Sequence, residues 1–239
     1  MANISNHWGP TPVFTMPTDD KIDARLRTVY DNPGDKQSLF DDWAETYDHD
    51  LVDDLGYVAD AEACRLLVSL VTDKQARILD AGCGTGLVGR RLMQAGYTDI
   101  HGNDYSAKML EKAQATGAYR SLQQHDLTRP VQTDLPYDAA IAVGVFAFSV
   151  PSAEHLVNIT GSLRPGGIAV VTVNGKAWRE VDWAARLKNF NRDHSDARLI
   201  DVRTIDYLRA EGIDGRLLTL ERIRENGSKG SVPTTIKRH

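Results

Sequence analysis

Residues 78–87 read ILDAGCGTGL: a short apolar run, glycines at positions 82, 84 and 86, then the start of an amphipathic helix. Glycine serves where backbone turns sharply or lies close against another group. A strand that leaves through such a loop into a helix returns to its sheet by a crossover, so this feature commits the chain to βαβ organisation. The downstream pattern agrees. DIHGND is followed by SAKMLEKAQA with Ser106 as its cap, and SLQQHDL is a third short strand. YDAAIAVGVFA, the most apolar stretch, reads as a central strand buried on both faces. PSAEHLVNITGSL is a helix capped by Ser152, and PGGIAVVTVNG is the next strand. Right-handed crossovers turn this alternation into an α/β, Rossmann-like, doubly wound and mostly parallel sheet.

The flanks are less regular. Residues 1–20 carry Pro10, Pro12 and Pro17 without periodicity and read as a flexible arm. Residues 21–71 are helical in pattern. Ile22, Leu26 and Val29 form one stripe, Leu39, Phe40, Trp43 and Tyr47 another behind Ser38 as N-cap, and DAEACRLLVSLV is a third helix. Near the other end, WREVDWAARLKNFNR reads as a helix. ARLIDVRTIDYLRAEGIDGRLLTLERI offers two strands around a short helix, an antiparallel C-terminal edge. The chain therefore divides into the arm, a single domain over 21–225 (helices 21–71, core 76–175, edge segment 176–225) and a polar tail over 226–239.

Composition limits the partners. The net charge of −5 offers no strongly electropositive surface, so nucleic acid is not the expected partner. Cys64 and Cys83 are too few for a disulfide framework. No apolar run reaches about 18 residues, and MANISNHWGPTPVFTM has neither the basic start nor the apolar core of a signal peptide. A cytoplasmic protein without membrane contact is the expectation.

In an open parallel sheet, ligands bind beyond the carboxyl ends of the strands, beside the first turn. A dinucleotide loop would read G-x-G-x-x-G, with a pyrophosphate on the helix N-terminus. Here Leu87 fills the place of the third glycine, which argues against a nicotinamide enzyme. Asp80 before the loop opposes a phosphate but suits an ammonium group. Asp104, at the end of the second strand and about twenty residues beyond Gly82, can take both hydroxyls of a ribose. A nucleoside with an amino-acid tail describes S-adenosylmethionine.

ILDAGCGTG, GNDYSAKMLEKA, HDL, YDAAIAVGVFAFSV and LRPGGIAVVTV resemble, in order and spacing, the motifs of class I S-adenosylmethionine-dependent methyltransferases. FDDWAETYDHDL, ATGAYRSL and VGVFAFSVPSAEHL look most like the Williams-Beuren-region methyltransferase-like group within that class. The resemblance implies a cofactor contact along Asp80, Ala81, Gly82, Cys83, Gly84, Gly86 and Leu87, with the glycines and Cys83 at the methionine part. By the same resemblance Asp104 binds the ribose, Tyr105 and Met109 pack on the adenine, Asp126 accepts from its amino group, and the Leu127 amide reaches a ring nitrogen. The Val143 carbonyl would meet the methionine ammonium, and Trp43 and Tyr47 match an N-terminal helical lid. Asn103 departs from the pattern, which usually has an apolar residue there.

Plainer roles compete for several of these residues. Asp104 can cap the following helix, Asp126 can be a solvated turn residue, and Trp43 and Tyr47 at i, i+4 can face a core. Cys83 has no histidine beside it and reads as packing. YDHD has no second His/Cys cluster, so no metal is expected. The implied reaction is methyl transfer, by in-line displacement, to a small-molecule acceptor. Phe146, Phe148 and Trp178 are the expected acceptor wall, and His155 and Tyr47 are the candidate general bases. A non-catalytic module that binds the cofactor, and an enzyme acting on a protein or nucleic acid, remain alternatives.

Overall fold

The structure is a computed structural model that describes residues 36–146 and 152–223. The expected arm over 1–20, the Ile22–Leu26–Val29 stripe, Phe148 and the polar tail lie outside those residues. Helix α1 (Lys36–Trp43), a π-helical turn (His49–Asp54) and α2 (Ala59–Leu70) precede the sheet. Then follow β1 (Arg77–Ala81), α3 (Leu87–Gln94), β2 (Asp99–Asp104), α4 (Ala107–Ala115), β3 (Ser121–Gln124) and β4 (Tyr137–Phe146). A 3₁₀ turn (Ala153–His155), α5 (Leu156–Thr160), β5 (Leu163–Asn174), α6 (Gly175–Glu180), α7 (Trp183–Asp193), β6 (Ala197–Leu208) and β7 (Ile213–Arg222) complete the order. None of the described helices is long and apolar enough to cross a membrane.

The seven strands lie in the order β3-β2-β1-β4-β5-β7-β6. Strands β1 to β5 pair in parallel, and β7 runs antiparallel to both neighbours. The winding reverses between β1 and β4, so the carboxyl ends of those two strands flank the crevice where such sheets take ligands. Strand alternation fills both faces. Ile78, Ile100, Ile141 and Val170 pack with Leu67 of α2 and Leu92 of α3. Leu79, Ala140, Val171 and Leu218 pack with Leu156, Ile159, Trp183 and Leu187 of α5 and α7.

Three local expectations change. Ser38 lies inside α1 rather than at its cap. The helix expected from Trp178 onward breaks between α6 and α7 at Asp182, whose φ of 47° is left-handed and whose side chain caps α7 on the Ala185 amide. That break turns Trp183 fully into the core, edge-on to Phe146. The third change is at the C-terminal edge. β6 continues to Leu208 with no helix before β7, because Tyr207 and Leu208 bury against Trp43, Leu51, Leu55 and Tyr57. The hairpin turn is also stitched to the N-terminal segment: Arg209 and Ala210 amides donate to the Gly56 and Leu55 carbonyls, and Val58 donates to Tyr207.

Phe146 does not line the crevice. It is 0% exposed and packs between β4, β5 and α7, which leaves it no surface for an acceptor. Phe146→Ala is therefore expected to lower stability by about 3–5 kcal/mol, the usual cost of emptying a buried aromatic site. Urea denaturation measures this; a loss below about 1 kcal/mol would return Phe146 to the crevice wall.

Candidate functional site

The glycine loop is hung from β2. The Asn103 carbonyl accepts from the Gly82 and Cys83 amides at 2.9 and 2.8 Å, and its side-chain Oδ1 also accepts from Gly82 at 3.1 Å. This buried Asn is the residue that departs from the family pattern, and a side chain that could not accept would leave Gly82 with one bond fewer. Gly82, Gly84 and Gly86 all have left-handed φ, at 73°, 52° and 93°. A Cβ on Gly82 would overlap the Val145 methyl, and one on Gly86 would come within 3.2 Å of Ala113 backbone. A Cβ on Gly84 would meet nothing within 4 Å. The outer glycines thus serve the protein's own packing, and the middle one faces open space.

β4 opens opposite the loop. Ala142 pairs with Val171 and the next pairing is Phe146 with Val173, so Val143, Gly144 and Val145 leave the ladder to β5; no pairing to β1 reaches them either. Gly144, in the middle of a central strand, is exposed, with φ of 76°, and its amide donates to Thr172 Oγ1 at 3.0 Å. The Val143 carbonyl is therefore outside both ladders, at the place where an ammonium group would need an acceptor.

Three carboxylates stand at or just past the carboxyl ends of β1, β2 and β3. Asp80 is 1% exposed; the Tyr119 hydroxyl donates to its Oδ2 at 2.7 Å, and Oδ1 has no partner among the described residues. Burial pushes the Asp80 carboxyl up to about 7, against the lowering effect of the Tyr119 bond. The Asp104 oxygens accept from the Gly84 and Ser106 amides, both at 2.9 Å. Burial raises its carboxyl, while those amides and that of Tyr105 oppose the rise. Three amides on two oxygens leave one of the carboxylate's lone-pair directions open for a ribose hydroxyl. Asp126 holds the Thr128 amide at 2.9 Å in a local turn. Burial would raise it, but the Thr128 bonds, Arg129 and His125 keep it below the ordinary value.

The other proposed contacts divide by depth. Ala81 ends β1 fully buried, Leu87 opens α3, and Met109 is buried at the start of α4. Leu127 is buried, its Cδ1 about 3.6 Å from where a Gly82 Cβ would stand. Tyr105 is 49% exposed at the rim. Cys83 is buried, and burial holds its thiol well above the ordinary range, which fits packing rather than nucleophilic use.

The N-terminal segment closes the near side. Trp43 donates from Nε1 to Asp50 at 2.6 Å and meets the Tyr47 ring at 4.8 Å. Both pack in a cluster that also touches Val143. Asp48 accepts from the Thr85 hydroxyl of the glycine loop and pairs with Arg90 at 3.2 Å; Asp41 accepts from the Ser106 hydroxyl, and Glu45 pairs with Lys112 at 2.7 Å. Trp178, in α6, packs against the Phe146–Trp183 cluster with the Arg216 guanidinium 5.5 Å from its ring, whereas Tyr47 packs in the Trp43–Leu51 cluster. His155 is also reassigned. Its Nδ1 accepts from the Ser152 amide at 3.1 Å in a capping box, so the lone pair a general base would use is already engaged.

Sequence reasoning missed Val145, Tyr119, Tyr57 and Tyr207 around the opening. Gly89 and Gly102 were the available signal for Tyr119, since a Cβ on either would press into its ring. Tyr57 and Tyr207 come from distant parts of the chain, and no local pattern joins them.

A methyltransferase-domain family model matches residues 78–167. The chain is 35% identical over 167 residues to methyltransferase-like protein 27 of Homo sapiens, covering 64% of each protein. It is 31% identical over 121 residues to the tRNA U34 carboxymethyltransferase of Cellvibrio japonicus, covering 47% of this chain and 38% of that one. The chain thus spans less than two thirds of either relative. Among solved structures, an S-adenosylmethionine-dependent methyltransferase from Mesorhizobium loti aligns with a TM-score of 0.55 at 20% identity, over 69% of this chain and 98% of that one.

Asp80 makes the ligand-free site sensitive to pH. In the unfolded chain its carboxyl ionises near 3.9, whereas the folded one keeps its proton to about 7. The folded state binds more protons between those values, so stability falls as pH rises through that window. Asp80→Asn keeps an acceptor for Tyr119 and removes the charge. Its melting temperature relative to the parent protein should climb from pH 5 to pH 8; a constant difference would place Asp80 in a solvated setting.

Proposed function

We propose that this chain, which carries a class I S-adenosylmethionine-dependent methyltransferase domain, transfers a methyl group to a small-molecule acceptor bound under the N-terminal segment. The observation that carries the reading is the stretch Val143–Val145, which leaves both ladders and comes up against Gly82 of the glycine loop. S-adenosylmethionine is the cofactor, and when bound it supplies a methyl group on a cationic sulfur. The residues present suit it. The unpartnered Asp80 oxygen and the Val143 carbonyl are acceptors for its ammonium, Asp104 for its ribose hydroxyls, and Gly84 gives its backbone room.

The bound sulfonium would supply a methyl group whose bond to sulfur breaks as the acceptor's lone pair takes the carbon, with the sulfur keeping the electron pair. The leaving group is already activated, so the protein's task is to align the two reactants and keep water out. Trp43, Tyr47 and Leu51 provide an apolar cover on the Val143 side. With His155 engaged in its cap, no imidazole is assigned as base, and the acceptor's own nucleophilicity carries the step.

One comparison favours a second reading, a tRNA acceptor, because the Cellvibrio relative is named for that substrate. The net charge of −5 and the acidic side chains of Asp41, Asp42, Glu45 and Asp48 beside the opening work against a phosphate backbone.

S-adenosylhomocysteine at about 100 times its dissociation constant should stabilise the protein by about 2.7 kcal/mol, and NAD should have no effect. Calorimetry and thermal melts read both; heat with NAD alone would sink the cofactor reading. Asp104→Ala should cost about ten- to a hundred-fold in affinity, the worth of roughly 1.5–3 kcal/mol of charge-assisted bonding. Unchanged affinity with lowered stability would make Asp104 a structural anchor for Gly84 and Ser106 alone. Labelled methyl transfer into a metabolite extract, and not into tRNA, is the outcome expected of the first reading.

A further inference from the structure

The exposed Gly144 has a polar rim that none of the proposed cofactor contacts uses. A Cβ on Gly144 would stand 3.0 Å from the Tyr57 hydroxyl and 3.9 Å from that of Tyr207. Tyr57 comes from the segment before α2 and Tyr207 from the end of β6; their rings meet edge to face at 5.4 Å. The Tyr207 hydroxyl lies beside both the Tyr57 and the Thr172 hydroxyls, and Thr172 Oγ1 accepts from the Gly144 amide. Each hydroxyl brings one proton. The two contacts that join these three hydroxyls can engage at most two of their three O–H groups, which leaves one to donate elsewhere. This surplus donor lies beside the exposed glycine, one residue from the Val143 carbonyl.

We infer that the Tyr57–Tyr207 pair is the polar contact of the methyl acceptor, donating a hydrogen bond to an oxygen on it such as a carbonyl or carboxylate. The inference rests on the methyltransferase reading above and adds the chemistry of the acceptor's handle. Both phenols are buried, and burial raises Tyr57 and Tyr207 above the ordinary tyrosine range, with Asp60 adding to the rise at Tyr57. Neutral at physiological pH, the pair donates a hydrogen bond and does not serve as a base. A donor placed on the attacking atom itself would tie up its lone pair, so the handle is an oxygen next to the nucleophile. Selectivity follows, because an analogue lacking that oxygen would leave the buried donor unpaired.

A crystal structure of the full chain with S-adenosylhomocysteine, together with Tyr57→Phe and Tyr207→Phe, tests this. The expected result has a Tyr hydroxyl within about 8 Å of the sulfur, the reach of one methyl, one near-attack contact and one hydrogen bond, with no side chain between. An ordered water should sit on the pair and be absent from Tyr207→Phe. Both variants should bind S-adenosylhomocysteine within about threefold of the parent, since the hydroxyls serve the acceptor and not the cofactor. A pair sealed from solvent, a sulfur farther away or screened by a side chain, or a tenfold loss of affinity would each overturn the inference. Absence of S-adenosylhomocysteine binding to the parent protein is a separate failure, that of the underlying reading.

Discussion

The site depends on how closely β1 and β4 approach just past their carboxyl ends. Gly82 has no side chain because the Val145 methyl occupies the place a Cβ would take. Val145 can be there only because β4 leaves its ladder after Ala142 and rejoins at Phe146. The bulge and the glycine loop are therefore one device, and Asn103 sets its height by fixing the Gly82 and Cys83 amides to β2. Bulges recur where a strand must re-aim a side chain or end its pairing next to a site. Here the bulge does both: it opens Val143–Val145, then returns Phe146 to the core against Trp183.

The polar groups below the loop are the cost of this arrangement. Asp80 is buried with one oxygen unpartnered, and Asp104 lies close enough to raise it further. An orphaned buried carboxylate oxygen is unfavourable unless a ligand completes it. The N-terminal segment is held differently. Its ion pairs to Arg90, Lys108 and Lys112 are largely exposed, so each contributes at most about 1 kcal/mol. The firmer attachment is apolar and buried: Trp43, Leu51, Leu55 and Tyr57 against Tyr207, Leu208 and Ile213. Strand β6 thereby has two tasks, closing one edge of the sheet and seating the N-terminal segment, whose cluster reaches Val143.

The central strands and the helix α4 cap were legible because their signals are local. Ser106 stands where a cap belongs and accepts from the Met109 amide at 3.1 Å. The glycine loop was legible for the same reason, since left-handed backbone leaves a mark at each residue that adopts it. Phe146 was misplaced as acceptor wall because alternation assumes an unbroken strand, and the bulge shifts every side chain beyond it. His155 looked like a free imidazole in sequence; that its ring closes a capping box depends on a rotamer.

By itself the sequence determined the order of strands and helices through the parallel core and the crevice at the end of β1. Each of these follows from residues within a turn or two of one another. Only the tertiary structure decided which residues face the crevice. That choice turns on contacts between segments far apart in the chain, Val145 on Gly82, Asn103 on Cys83 and Tyr57 on Tyr207. Such contacts arise from packing, and packing leaves no periodicity along the chain.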